Sequence, residues 1–98
     1  MNTFTQHLEE DRRLTILVLL ADAAGYQANQ FLLQSALDSL GHVVSMDRLR
    51  ADLAWLAEQG LVTVGATAAV EIATLTARGL DVAQGRAVHP GVKRPRPL

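Results

Sequence analysis

Ser45-Met46-Asp47-Arg48-Leu49-Arg50-Ala51-Asp52-Leu53-Ala54-Trp55-Leu56-Ala57-Glu58-Gln59-Gly60-Leu61-Val62 holds a helix start, an amphipathic body, a stop and the first residues of a strand. Ser45 is a good N-cap, because its hydroxyl accepts from a backbone N–H that the first helical turn leaves unpaired. Leu49, Leu53 and Leu56 recur at i, i+4, i+7, the spacing of one buried face. Gly60 stands where a helix ends in a left-handed residue, a conformation that costs glycine nothing. Leu61-Val62-Thr63-Val64 then reads as β-type sequence, so the helix hands the chain directly to a strand.

Upstream, residues 4–24 read as a first helix. Phe4 and Leu8 pair at i, i+4, and Leu14, Leu17, Val18 and Ala21 continue the stripe. Ile16, Leu19, Leu20 and Ala23 make it apolar on more than one side, which suits a central core helix or a subunit interface. Glu9 is spaced to pair with Arg12 or Arg13 along a solvated face. Ala24-Gly25-Tyr26 breaks the helix. Asn29 caps a second helix to about Leu40, carrying Leu32, Leu33, Ala36, Leu37 and Leu40, and Gly41-His42-Val43-Val44 is the turn into the third. Downstream, Leu61–Val64 and Val70–Leu75 are β-branched and roughly alternating, joined by Gly65–Ala69 as a hairpin tip. Thr76 caps a last short helix to about Gln84. From Arg86 onward His89-Pro90, Arg94-Pro95 and Arg96-Pro97 block regular structure. The reading is therefore a domain over residues 1–85 and a flexible, basic, proline-containing tail over 86–98.

The order H-H-H-strand-strand-H predicts a mainly α fold with a two-stranded β wing, a winged helix-turn-helix. The run Ser45-x-Asp47-Arg48-Leu49-Arg50-x-Asp52-Leu53-x-Trp55-Leu56-x-Glu58-Gln59-Gly60-Leu61-Val62 resembles the recognition-helix-to-wing segment of winged-helix regulators of the ArsR-like and MarR-like groups. Over residues 4–85 the chain resembles, in particular, the small winged-helix proteins encoded in Mu-like prophages. The second resemblance implies a phage protein, and the winged-helix pattern leads to the first functional expectation, a transcriptional regulator that binds double-stranded DNA as a homodimer.

At 100° per residue with Leu49 at zero, the third helix points its core side near 10° to 20°. The opposite side holds Asp47, Ala51, Ala54 and Glu58, flanked by Arg48 and Arg50. Major-groove helices place arginine and other hydrogen-bonding side chains near their N-terminal half, so Arg48 and Arg50 are the candidate groove contacts and Ser45 a phosphate donor. Asp47–Arg50 and Arg48–Asp52 are spaced to pair within the helix. The hairpin tip has no Arg or Lys to grip a minor groove, which shifts that role to Lys93, Arg94 and Arg96 in the tail. Trp55 lies off the core centre. It reads either as core flank or as an interface residue, with Leu14 of the first helix as the second interface candidate.

Composition sets outer limits. The 98 residues are 49% hydrophobic and 19% charged, a globular composition for one domain. The net charge of −1 conceals a split: residues 1–85 carry five arginines against all ten acids, a balance of −5, and residues 86–98 carry four basic residues and no acid. An acidic body weakens DNA binding by the globular part, because phosphate contacts supply most non-specific affinity. Absence of cysteine excludes disulfides and thiolate metal sites and fits a cytoplasmic protein. The N-terminus shows no signal-peptide pattern, and the longest apolar run is too short for a membrane span. His7, His42 and His89 lack ligand spacing, and no phosphate loop or nucleophile–base set is visible, so neither metal, cofactor nor enzyme activity is expected. The competing function is a protein-interaction module on the same scaffold, for phage assembly or host takeover, using the apolar first helix and Trp55.

Overall fold

The computed structural model describes residues 3–97. The long apolar stripe becomes α1 (Thr3–Asp22), which buries Leu14, Ile16, Leu17 and Leu20. It ends in a 3-10 turn at Ala24–Tyr26, where Gly25 and Tyr26 both take positive φ. The reversed chain then enters β1 (Gln27–Asn29), followed without a break by α2 (Gln30–Ser39). Asn29 is the predicted cap, its Oδ1 accepting from Leu32 N at 2.9 Å. Gly41 stops the helix with φ of 89°. Ser45 caps α3 (Met46–Glu58) by accepting from Arg48 N at 3.1 Å. Leu49, Leu53 and Leu56 are fully buried, as their spacing requires.

A hairpin of β2 (Val62–Thr67) and β3 (Val70–Leu75) follows, then α4 (Ala77–Ala83), capped by Thr76 through Gly79 N at 3.0 Å. The sheet is antiparallel with order β1-β3-β2. The expected order therefore holds for the four helices and the hairpin, but the wing is part of a three-stranded sheet, not a two-stranded one. Ala28 pairs with Ala73 and is buried, while Gln27 and Asn29 face solvent. Three residues are too few to print a period-2 pattern, and they stand between a glycine break and a helix cap, both louder signals. The hairpin tip also differs. β2 runs through Gly65 to Thr67, and only Ala68 and Ala69 turn, with φ of 51° and 64°.

Two close approaches fix how the layers meet. Gly79 lies so near β2 that a Cβ would sit 2.0 Å from Leu61 O, so α4 and the wing share a seam that only glycine fits. Across the molecule, Arg12 of α1 and Asp52 of α3 form a buried two-pronged ion pair, Nε to Oδ2 at 2.5 Å and Nη2 to Oδ1 at 3.2 Å. The helical spacing of Glu9 with Arg13 gives a looser contact at 3.6 Å. Asp52 thus ties α3 to α1 and not to Arg48.

The segment after α4 does not extend away from the domain. Val92 joins the core and His89 is buried. Arg13 Nη1 donates to Gly91 O at 3.0 Å, and Lys93 N donates to Glu10 O at 3.2 Å. Prolines remove regular structure without preventing docking: an extended segment still buries alternate side chains and offers backbone groups to a neighbour. Leu98, the last residue of the expected arm, lies outside the described residues.

Candidate nucleic-acid interface

The exposed side of α3 is the projected one: Asp47, Arg48, Arg50, Ala51, Ala54 and Glu58 are all exposed. Ser45 is exposed as well. Its oxygen accepts the capping bond, which leaves the hydroxyl hydrogen free to donate outward. Arg48 makes no ion pair with any other described residue, so it is a free cation at the N-terminal half of the helix.

Arg50 is held differently. Its Nη2 donates to Gln30 Oε1 at 3.2 Å and to Ala69 O at 3.3 Å, and its Nε lies 3.3 Å from Glu71 Oε2. Gln30, at the start of α2, is only 2% exposed, and the same Oε1 accepts from Glu71 N at 2.7 Å. One buried amide oxygen therefore joins α2, α3 and the hairpin. Neither Gln30 nor Glu71 was visible as a site residue in the sequence: Gln30 sits 20 residues from Arg50, and no local spacing links them.

The two interface candidates are both engaged within the chain. Leu14 belongs to the core cluster, since α1 is covered by α2, α4 and the sheet. Trp55 is half-buried. The Arg13 guanidinium stands 4.1 Å from its ring centroid, His89 meets it edge-on at 5.6 Å, and Gly91 lies so close that a Cβ would be 2.9 Å from Cη2. The off-core tryptophan is thus the floor on which the C-terminal segment rests.

The basic tail residues do not join Arg48 and Arg50. Lys93 Nζ reaches Asp11 Oδ1 at 3.2 Å, while His42 Nε2 is 2.7 Å from Asp11 Oδ2. Burial pushes the Asp11 carboxyl up, but the hydrogen bonds with His42 and Lys93 and their charges outweigh it and hold it below the ordinary value. Arg94 and Arg96 are exposed and line an open groove with Val18 and Asp22 of α1 and Gln84 after α4. Among the described residues no group of three or more His, Cys, Asp or Glu is placed to hold a metal ion, and no helix is long and apolar enough to cross a membrane.

No family model matches the sequence. A direct relative does: over 90 residues the chain is 54% identical to the uncharacterized protein gp26 of Escherichia phage Mu, covering 92% of this chain and 93% of that one. The chain belongs to the gp26 family. A Haemophilus influenzae Rd protein is 42% identical over 62 residues, 63% of this chain and 60% of its own length. Among solved structures, the complex structures of hsRosR-S1 and hsRosR-S4 match with a TM-score of 0.63 at 20% identity. They cover 86% of this chain, which spans 67% and 65% of those chains. At that identity the likeness establishes a shared fold, and it makes the gp26-family chain a relative in architecture of the winged-helix RosR proteins.

Proposed function

We propose that this gp26-family protein is a small DNA-binding regulator whose α3 meets the major groove. The observation that carries the reading is the free Arg48 beside the Ser45 hydroxyl, at the N-terminal half of an exposed helix placed between turn and wing. That is where winged-helix proteins bring side chains to base edges. Arg94 and Arg96, exposed and unpaired with other described residues, add phosphate contacts from the tail, whereas Lys93 is already committed to Asp11. A homodimer, to be measured by sedimentation equilibrium, brings two such helices to one duplex.

The local charge tempers the affinity. Once Arg12–Asp52 and Arg50–Glu71 are set against each other, the exposed side of α3 keeps Arg48 against Asp47 and Glu58. Binding is accordingly weak and steeply salt-dependent. The test is anisotropy of a labelled mixed-sequence duplex across a salt series, comparing wild type with Arg48→Ala and with Arg94→Ala plus Arg96→Ala. Both variants should bind more weakly with a shallower slope, and no wild-type binding at low salt ends the proposal. For the protein-interaction reading, Leu14 is core and Trp55 is half-buried beneath the C-terminal segment, but α1 still exposes Phe4, Leu8 and Val18. Phe31, Leu32, Leu40 and Val43 add apolar side chains exposed on α2 and the turn.

A further inference from the structure

The two arginines of α3 have the same chemistry and opposite surroundings. A guanidinium has five N–H donors and recognises a guanine or a phosphate best through two parallel bonds. Both of its two-pronged edges, Nε with Nη2 and Nη1 with Nη2, require Nη2. In Arg50 that nitrogen is committed to Gln30 Oε1 and Ala69 O, and Nε faces the Glu71 carboxylate. Only Nη1 remains outside the network, and one nitrogen cannot form the fork.

We infer that Arg50 is a positioning residue, a strut that with Gln30 and Glu71 fixes the wing against α3, and that base reading from this helix falls to Arg48. The inference rests on the DNA-binding reading and sharpens it: of two arginines that look alike in sequence, one reads and one braces. The geometry supports the division on three sides. Gln30 Oε1 also accepts from Glu71 N, so the strut is anchored to the β3 backbone and not only to the Glu71 carboxylate. Ala69 O is one of the two turn residues of the wing, so Arg50 spans the hairpin from its tip to the start of β3. Arg48, on the other flank of the helix, is exposed and has no ion-pair partner among the described residues.

The experiment compares Arg50→Lys, Arg50→Ala, Glu71→Gln and the Arg50→Ala/Glu71→Gln double variant in the full-length protein, by duplex anisotropy across salt. Lysine keeps a point charge for phosphate but cannot bridge three acceptors as a planar fork. A strut predicts that Arg50→Lys binds like Arg50→Ala, about three- to tenfold weaker than wild type, with an unchanged salt slope. It also predicts that Glu71→Gln weakens binding and that the double variant is no weaker than the worse single one. If Glu71→Gln instead tightens binding and steepens the slope, or if Arg50→Lys retains wild-type affinity, Arg50 is a direct contact and the inference is overturned. Amide exchange of the free protein gives a second readout independent of DNA. Arg50→Ala should speed exchange at Glu71 and around the hairpin turn while leaving the Leu53 and Leu56 amides protected, and unchanged exchange at Glu71 overturns the strut. A wild type that does not bind DNA at low salt defeats the functional reading itself, and the exchange result then decides the strut on its own.

Discussion

At the scale of single residues, the wing turn shows a mismatch between side chain and backbone. Ala68 and Ala69 both lie in the left-handed region, the pattern of a two-residue type I′ hairpin. An L-residue with a Cβ is disfavoured there by about 1 kcal/mol, and asparagine followed by glycine is the preferred pair. Replacing them by Ala68→Asn and Ala69→Gly should therefore stabilise the fold by about 1 kcal/mol, raising the thermal midpoint by roughly 4–8 °C. Circular dichroism melts check this, and a lowered midpoint would mean that the turn is not of the assigned type. The same turn explains a limit of the sequence: Gly65–Ala69 reads as the hairpin tip, yet Gly65 sits in the strand, where an added Cβ would meet open space. A glycine marks where the chain can turn, not where it does. Ala68 and Ala69 fall within that stretch, but nothing in their chemistry marks them as the two that turn.

Elements were far more legible than their connections. Asn29, Ser45 and Thr76 each cap the helix their sequence context predicts, and the Leu49, Leu53 and Leu56 face is wholly buried. These are local signals, written within one or two turns of chain. Of the charge pairs read from helical spacing, Glu9–Arg13 forms, whereas Arg12 finds its partner 40 residues away on another helix, because helical spacing displays only near neighbours. Because Arg12 and Asp52 are both nearly excluded from solvent, Asp52→Ala leaves a guanidinium buried without its anion, a loss of about 3–5 kcal/mol. Replacing both partners by leucine removes the stranded charge, so the Arg12→Leu/Asp52→Leu double variant should be more stable than Asp52→Ala. Urea unfolding of the variants measures the difference. A double variant less stable than Asp52→Ala would show that the pair contributes more than the charge it neutralises.

The candidate site was legible in part for the same physical reason. Ser45 and Arg48 are where the helical projection puts them, but the commitment of Arg50 depends on a buried Gln30 that only the folded chain brings near. Trp55 illustrates the point most fully, since its position off the core axis was visible and the segment that covers it was not. The covering stretch, residues 89–93, reads as a proline-broken tail. Its docking depends on groups scattered over α1 and α3.

For the molecule as a whole, this docking changes what the tail is. The Cα radius of gyration is 12.5 Å, against about 12.6 Å for a compact chain of this length, so the tail adds no extension. A basic segment closes onto an acidic body, with Asp11 receiving Lys93 on one oxygen and His42 on the other. The direction of the Asp11 shift fixes the pH dependence. Its folded carboxyl lies below the ordinary value of about 3.9, so its stabilisation is fully present above that value and is lost as the pH falls through the lower, folded one. Asp11→Asn removes the charge at every pH. The variant should therefore be less stable than wild type at neutral pH, with the gap closing once the pH drops below about 4 and the wild-type carboxyl takes up its proton. Urea unfolding followed by the fluorescence of Trp55, the single tryptophan and the residue under the docked segment, reads both quantities at once. The emission of the native wild type should move toward that of the variant over the same acid range. A stability gap that stays constant down to about pH 2.5 would assign the Asp11 contribution to packing and not to charge.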